Sequence, residues 1–145
     1  MKIFDCTTFY NENTMLEVRF NILNSYVHKF LITESKYSHS GEKKKLNFDI
    51  NKFKDFKHKI IYLVVENEPD KLVYENNENS RKEPQDEIRN NAIKRIAYQR
   101  DYLLTALSEA SEEDYIFYSD NDEIPNLPSI DLIKNKNKII AFQQK

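Results

Sequence analysis

Apolar and polar positions along this chain follow two periods in turn. Ile3 and Phe4 open a short apolar stretch, read as a strand that starts at Lys2 and ends at Asp5 and Cys6. Leu16, Phe20, Leu23, Val27 and Phe30 then recur at steps of three and four, the apolar stripe of a helix. Thr14 and Glu17 stand at capping-box spacing for the start of that helix. Phe30 to Glu34 reads as a second strand. Ile60 to Val65 is apolar throughout, the pattern of a third strand buried on both faces.

The segment between the second and third strands is polar, with Ser38, Gly41 and Lys43-Lys44-Lys45, and reads as a loop with a short extended piece near Leu46 to Phe48. Residues 66 to 85 are polar and carry Pro69 and Pro84, the most loop-like stretch of the chain. A long helix is expected from Asp86 to Glu109, with Ile88, Ala92, Ile96, Leu103 and Leu107 among its apolar positions. Tyr115 to Tyr118 is a fourth strand that runs directly into Ser119-Asp120-Asn121-Asp122-Glu123. Pro125 and Pro128 stop any regular continuation, and Lys138 to Phe142 looks like the start of a fifth strand. Strands alternating with helices predict an α/β sandwich with a mostly parallel sheet. Ligands in such sheets bind beyond the carboxyl ends of the strands. Asp5, Glu34 and the acidic cluster all fall at strand ends in this reading, so they form one candidate site.

Composition narrows the chemistry. The 145 residues suffice for one domain, 1–145, with one core. Positive and negative side chains nearly cancel to a formal net charge of −2, which gives no electrostatic case for nucleic acid or an anionic membrane as the main partner. Cys6 is the single cysteine, so an internal disulfide and a multi-thiolate zinc site are excluded. No signal peptide stands at the N-terminus, and no apolar run approaches the roughly 20 residues that span a bilayer. The expected location is the cytoplasm, at most peripheral at a membrane face. Gly41 is the only glycine, which excludes the glycine-rich phosphate loops. A nucleotide, if bound, needs its phosphates held another way, and a metal ion is the obvious one.

Asp120 and Asp122 suit that role. Two carboxylates one residue apart, just after a strand, can turn oxygens toward one hard cation, and Mg²⁺ or Mn²⁺ takes carboxylates together with substrate phosphates. Such a cation neutralises a diphosphate and helps it leave. By itself the pair is also compatible with a solvated acidic turn, since Asp and Asn are ordinary turn residues. An EF-hand fits worse, because Ile124-Pro125 follows where the calcium loop needs a glycine. A phosphatase with Asp120 as nucleophile remains a third reading.

The surrounding residues extend the pattern. Tyr118-Ser119-Asp120-Asn121-Asp122-Glu123-Ile124-Pro125 is similar to the Ser-Asp-x-Asp-Glu-Ile-Pro signature of glycosyltransferase family 17. The family is typified by the β-1,4-mannosyl-glycoprotein β-1,4-N-acetylglucosaminyltransferase. Ile3 to Glu12 resembles its Asp-Cys-x-x-Phe-x-Asn-Glu opening, and Leu16 to Leu23 its Leu-Glu-Ile-Arg-Leu-Asn-x-Leu helix. The Phe30 to Glu34 strand, the Ser38-His39-Ser40-Gly41 turn and Gln99-Arg100 match in the same order. The resemblance implies a GT-A-like, Rossmann-like sandwich and inverting transfer of a sugar, most naturally GlcNAc from UDP-GlcNAc, to a glycan hydroxyl. It implies Mn²⁺ or Mg²⁺ at Asp120 and Asp122, and a nucleotide sugar and a glycan acceptor as partners. Asn121 departs from the Val or Leu usual at that variable position, and Asp101 from the Asn usual after Gln-Arg. Family members continue beyond the last strand seen here, so the chain is expected to be the N-terminal, donor-binding portion, with the catalytic base and much of the acceptor site downstream and a sheet edge open to association. The alternative is a catalytically inactive nucleotide-sugar or metal-binding remnant.

The other candidates keep two readings each. Arg100 contacts the donor diphosphate or pairs on the surface with Asp101 or Glu109. Asp5 and Glu34 hydrogen-bond the nucleotide or cap loop amides. Glu123 assists the metal or closes a turn. Glu17 and Arg19 are read as helix-face contacts that specify structure, and His28, His39 and His58 as surface or packing residues. Lys43-Lys44-Lys45 is a solvated run unless its loop lies beside a diphosphate.

Overall fold

A computed structural model describes residues 1–75, 82–135 and 139–142. Four strands form one parallel sheet: β1 (Ile3–Thr8), β2 (Lys29–Ser35), β3 (Ile60–Val65) and β4 (Tyr115–Tyr118). Their order is β3-β2-β1-β4. Helix α1 (Asn13–Leu23) connects β1 to β2, and α2 (Ile88–Asp101) precedes β4, continuing into a 3-10 turn over Tyr102–Ala106. This is the α/β arrangement with a parallel sheet that the alternation of elements predicts, and it is Rossmann-like, as the resemblance implies. No described helix is long and apolar enough to cross a membrane.

The two-residue period of the strands sorts their side chains into two cores. Ile3 of β1 with Phe30 and Ile32 of β2 packs on Leu16, Phe20 and Leu23 of α1, and Phe53, Phe56, Phe117 and Leu127 complete that layer. Phe4, Cys6 and Leu31 point the other way, onto Leu103 and the partly buried Ala106 and Leu107. Phe20 lies 4.5 Å from Phe30 and 5.3 Å from both Phe53 and Phe56, ring centroid to ring centroid. Fully burying such a ring is worth about 1.5–3 kcal/mol.

Several expectations are corrected. β1 runs on through Thr7 and Thr8, so Asp5 and Cys6 lie inside the strand rather than at its end. Helix α1 starts at Asn13 and stops at Leu23; Val27 and Phe30 belong to the same core from outside it. The capping box does not form, and the Glu12 carboxylate instead accepts from the Tyr10 and Asn11 amides at 3.0 Å. β3 is an edge strand, half-buried over most of its length, because it pairs with β2 alone. Residues 139–142 are not in a strand, although Ile140 and Phe142 pack on the first core; Lys138 lies outside the described residues.

Helix α2 is shorter than its sequence pattern suggests, and its buried stripe is polar. Asn91, Arg95 and Gln99, spaced by four, face inward, while Ile88 and Ile93 are exposed. Each stripe residue fastens a different piece of chain. Asn91 pairs with both the amide and the carbonyl of Val73. Arg95 donates to Glu68, Glu83, Tyr74 and the His39 carbonyl. Gln99 donates to the Thr33 carbonyl at 2.9 Å.

Candidate functional site

The chain winds from β1 outward to β2 and β3, then crosses back to place β4 on the other side of β1. The direction of winding thus reverses between β1 and β4, and α/β sheets open a crevice outside the strand ends at such a point. A cleft of about 960 Å³ lies there. Thr8 to Tyr10 after β1, Tyr37 to Ser40 after β2, Gln99 and Arg100 on α2, and Asp120 to Asp122 after β4 are its walls.

The floor of the acidic loop is set by Arg19. Its guanidinium forks onto both oxygens of Asp5 at 2.8 Å. The remaining N–H groups reach the Ser119 hydroxyl at 2.8 Å and the carbonyls of Asp120 and Glu123 at 2.9 and 3.2 Å. One buried side chain thereby ties together two carbonyls and a hydroxyl of the loop, which fixes the turn that carries the two aspartates. Ser119 closes the same turn by donating to the Glu123 carbonyl.

Asp120 and Asp122 are exposed at the cleft wall. Arg100 donates to Asp120 Oδ1 at 3.0 Å, and its guanidinium carbon sits 5.1 Å from the Tyr118 ring centroid. The Asp122 carboxylate has no hydrogen bond or ion pair among the described residues. Among the described residues no three His, Cys, Asp or Glu side chains converge on a common point. A hard cation bound there would find at most two carboxylates on the loop and would need phosphate oxygens and water besides, as Mg²⁺ usually does. Glu123 does not line the cleft; its carboxylate accepts from the Asp120 amide at 3.3 Å, so it serves the turn.

The structure removes two expected residues from the ligand-facing surface. Asp5 is 1% exposed, and both its oxygens are occupied by Arg19. The strand's period turns it to the α1 face, away from the cleft. Glu34 is fully buried and accepts from Lys44 Nζ at 2.6 Å, the Asn47 and Phe48 amides, and the Tyr62 hydroxyl at 2.8 Å. It gathers the loop after β2 onto the sheet; burial, and then the bond to Glu34, raise the Tyr62 phenol pKa.

Apart from Lys44, whose lysine run the sequence left open as a diphosphate neighbour, the other cleft residues were not singled out from sequence as ligands. Ser38, His39 and Ser40 form one wall, and the turn is held by Arg95 through the His39 carbonyl at 3.1 Å. Gly41 follows with φ +84°, and a Cβ there would lie 2.5 Å from an Arg95 nitrogen. Burial, and then the Arg100 guanidinium, keep the His39 imidazole below its ordinary pKa, with Asp120 opposing. Lys44 reaches the cleft wall with its ammonium 5.0 Å from the Tyr10 ring centroid. The blocks Ser38 to Gly41 and Gln99-Arg100 were visible as matching segments, but nothing in their composition said that they face one another.

Comparison with curated proteins and with solved structures returned no match. The family model for glycosyltransferase family 17 matches residues 1–142. That span takes in every wall of the cleft, and the chain belongs to glycosyltransferase family 17.

Proposed function

We propose that this glycosyltransferase moves N-acetylglucosamine from UDP-GlcNAc to a glycan hydroxyl with inversion, as a β-1,4-mannosyl-glycoprotein N-acetylglucosaminyltransferase does, and that Mn²⁺ or Mg²⁺ assists. The observation that carries the reading is the exposed Asp120 and Asp122 pair in the cleft at the sheet's point of reversal. The unpartnered Asp122 carboxylate and the solvent-facing Asp120 fit a divalent cation that brings its own phosphate ligands. Held by Asp120 and Asp122, such a cation would supply charge neutralisation for a departing diphosphate.

The chain's own residues do the rest of the positioning. Arg100 stands beside Asp120, and its guanidinium fork suits phosphate oxygens. Arg19 holds the loop rigid from below, so the two carboxylates do not need to be ordered when the donor arrives. Asp5 and Glu34 support the walls.

A second reading, donor binding without transfer, has one observation in its favour: Asp120 is already engaged by Arg100. Incubation with UDP-GlcNAc, Mn²⁺ and a mannose-terminated glycan, followed by mass spectrometry of the glycan, separates the two. A product heavier by one N-acetylhexosamine supports transfer. Unchanged glycan, with UDP binding intact, supports the second reading.

A further inference from the structure

His39 stands at the tip of the turn that walls the cleft after β2, and that turn is pinned without help from its ring. Tyr37 and Lys43 pair in an antiparallel bridge at its base. The Ser38 amide donates to the Glu42 carbonyl at 2.8 Å, and the Gly41 amide to the Ser38 carbonyl at 2.9 Å. The Ser38 and Ser40 hydroxyls are 2.8 Å apart, and Arg95 holds the His39 carbonyl from below. The His39 imidazole itself is exposed, lines the cleft, and makes no hydrogen bond among the described residues. Partial enclosure by the cleft walls lowers its proton affinity most. The Arg100 guanidinium lowers it further and the Asp120 carboxylate raises it, so the ring shares the space of those two groups.

We propose that His39 is a phosphate-contacting residue of the donor site, its imidazole donating an N–H to a diphosphate oxygen beside Asp120 and Arg100. The proposal rests on the reading of the cleft as a nucleotide-sugar site. Chemistry selects the class of ligand. An imidazole carries at least one N–H donor whether it is neutral or protonated, and a guanidinium carries only donors. Two such groups that face one space suit an anion, because each gains from it and its charge relieves their mutual repulsion. Asp120 is the acid there, and Arg100 already engages it. A role for His39 as a third metal ligand does not fit, since among the described residues no three potential ligands converge. The pinned turn sets the ring in place before the ligand arrives, so little ordering is left to offset the new hydrogen bond.

The test is calorimetric titration of the parent chain, His39→Ala and His39→Gln with pyrophosphate or UDP in the presence of Mn²⁺. Melting temperatures are recorded for each protein. The expected result for His39→Ala is about tenfold weaker binding of both ligands at the parent's melting temperature. His39→Gln, which restores an N–H donor, is expected to recover most of that loss. Unchanged binding by His39→Ala overturns the proposal, and if sugar transfer is lost at the same time the ring serves a proton transfer instead. A loss for UDP with pyrophosphate unchanged also overturns it, because the contact is then to the nucleoside. A Gln variant no better than the Ala variant overturns it too, since an N–H donor is then not what the site lacks. If both variants melt well below the parent, His39 is structural and the proposal fails. A parent that binds neither ligand overturns the cleft reading itself, and this inference with it.

Discussion

Arg19 and Asp5 form a two-pronged ion pair, both N–H···O distances 2.8 Å, with Arg19 completely buried. The pair joins α1 to the middle of β1. Through the other guanidinium nitrogen it also joins both to the loop after β4. Structure and site therefore share one side chain.

Removing half of a buried pair leaves the other charge stranded. Arg19→Ala is expected to destabilise the fold by about 3–5 kcal/mol, and the double variant Arg19→Met with Asp5→Leu by much less. Urea denaturation followed by circular dichroism measures both. Equal losses for the single and double variants would contradict the role given to the stranded carboxylate.

The turn Ser38 to Gly41 requires a glycine. Its positive φ disfavours any side chain, and a methyl group would meet the Arg95 guanidinium. Gly41→Ala is expected to cost about 1–3 kcal/mol. Because the turn is a wall of the cleft, nucleotide affinity should fall as well. A melting temperature unchanged from the parent would refute this.

Cys6 is buried between Phe4, Leu31 and Leu103. Burial first, and then the Asp5 charge, push its thiol up to about 12, with Arg19 offsetting part. The thiolate is the reactive form, so the native protein at pH 8 should resist a disulfide-exchange reagent and react promptly once unfolded. Fast labelling of the native chain would show that this strand opens.

Asp114 is the clearest source of acid sensitivity. The Ser111 and Lys2 amides donate to its carboxylate and lower its pKa from 3.8 to about 2. The folded value is depressed, so the contribution is present above about pH 4 and is lost as pH falls toward 2. Melting temperatures of the parent and Asp114→Asn should differ most at neutral pH and converge near pH 2. A gap that stays constant down to pH 2 would argue against the assignment.

The sequence was most informative where chemistry and periodicity coincide. The alternation of elements located all four strands, and the Ser119 to Glu123 block located the loop at the cleft. It stayed ambiguous where polar residues are buried in pairs. Asp5 and Glu34 were open between ligand and loop cap because a lone carboxylate carries no mark of its partner, and the partners lie 14 residues away at Arg19 and 10 away at Lys44; Glu34 takes the loop-cap reading through the Asn47 and Phe48 amides. The inward face of α2 was invisible for the same reason. Periodicity counts apolar residues, and this helix buries Asn91, Arg95 and Gln99 against loop backbone and carboxylates. The continuous apolar run of β3 suggested a central strand, but strand order is set by the crossovers, which leave it at the edge.

The role proposed for Asp120 and Asp122 is to hold a metal-bound nucleotide diphosphate. Calorimetry of Mn²⁺ with UDP on the parent chain and on Asp122→Ala tests it most directly, because Asp122 is exposed and the substitution leaves the Arg19 scaffold intact. One carboxylate cannot replace two at a cation that also carries phosphate oxygens. Metal-dependent UDP binding is expected for the parent, and none measurable for Asp122→Ala at an unchanged melting temperature. Equal affinity in the two proteins would contradict it.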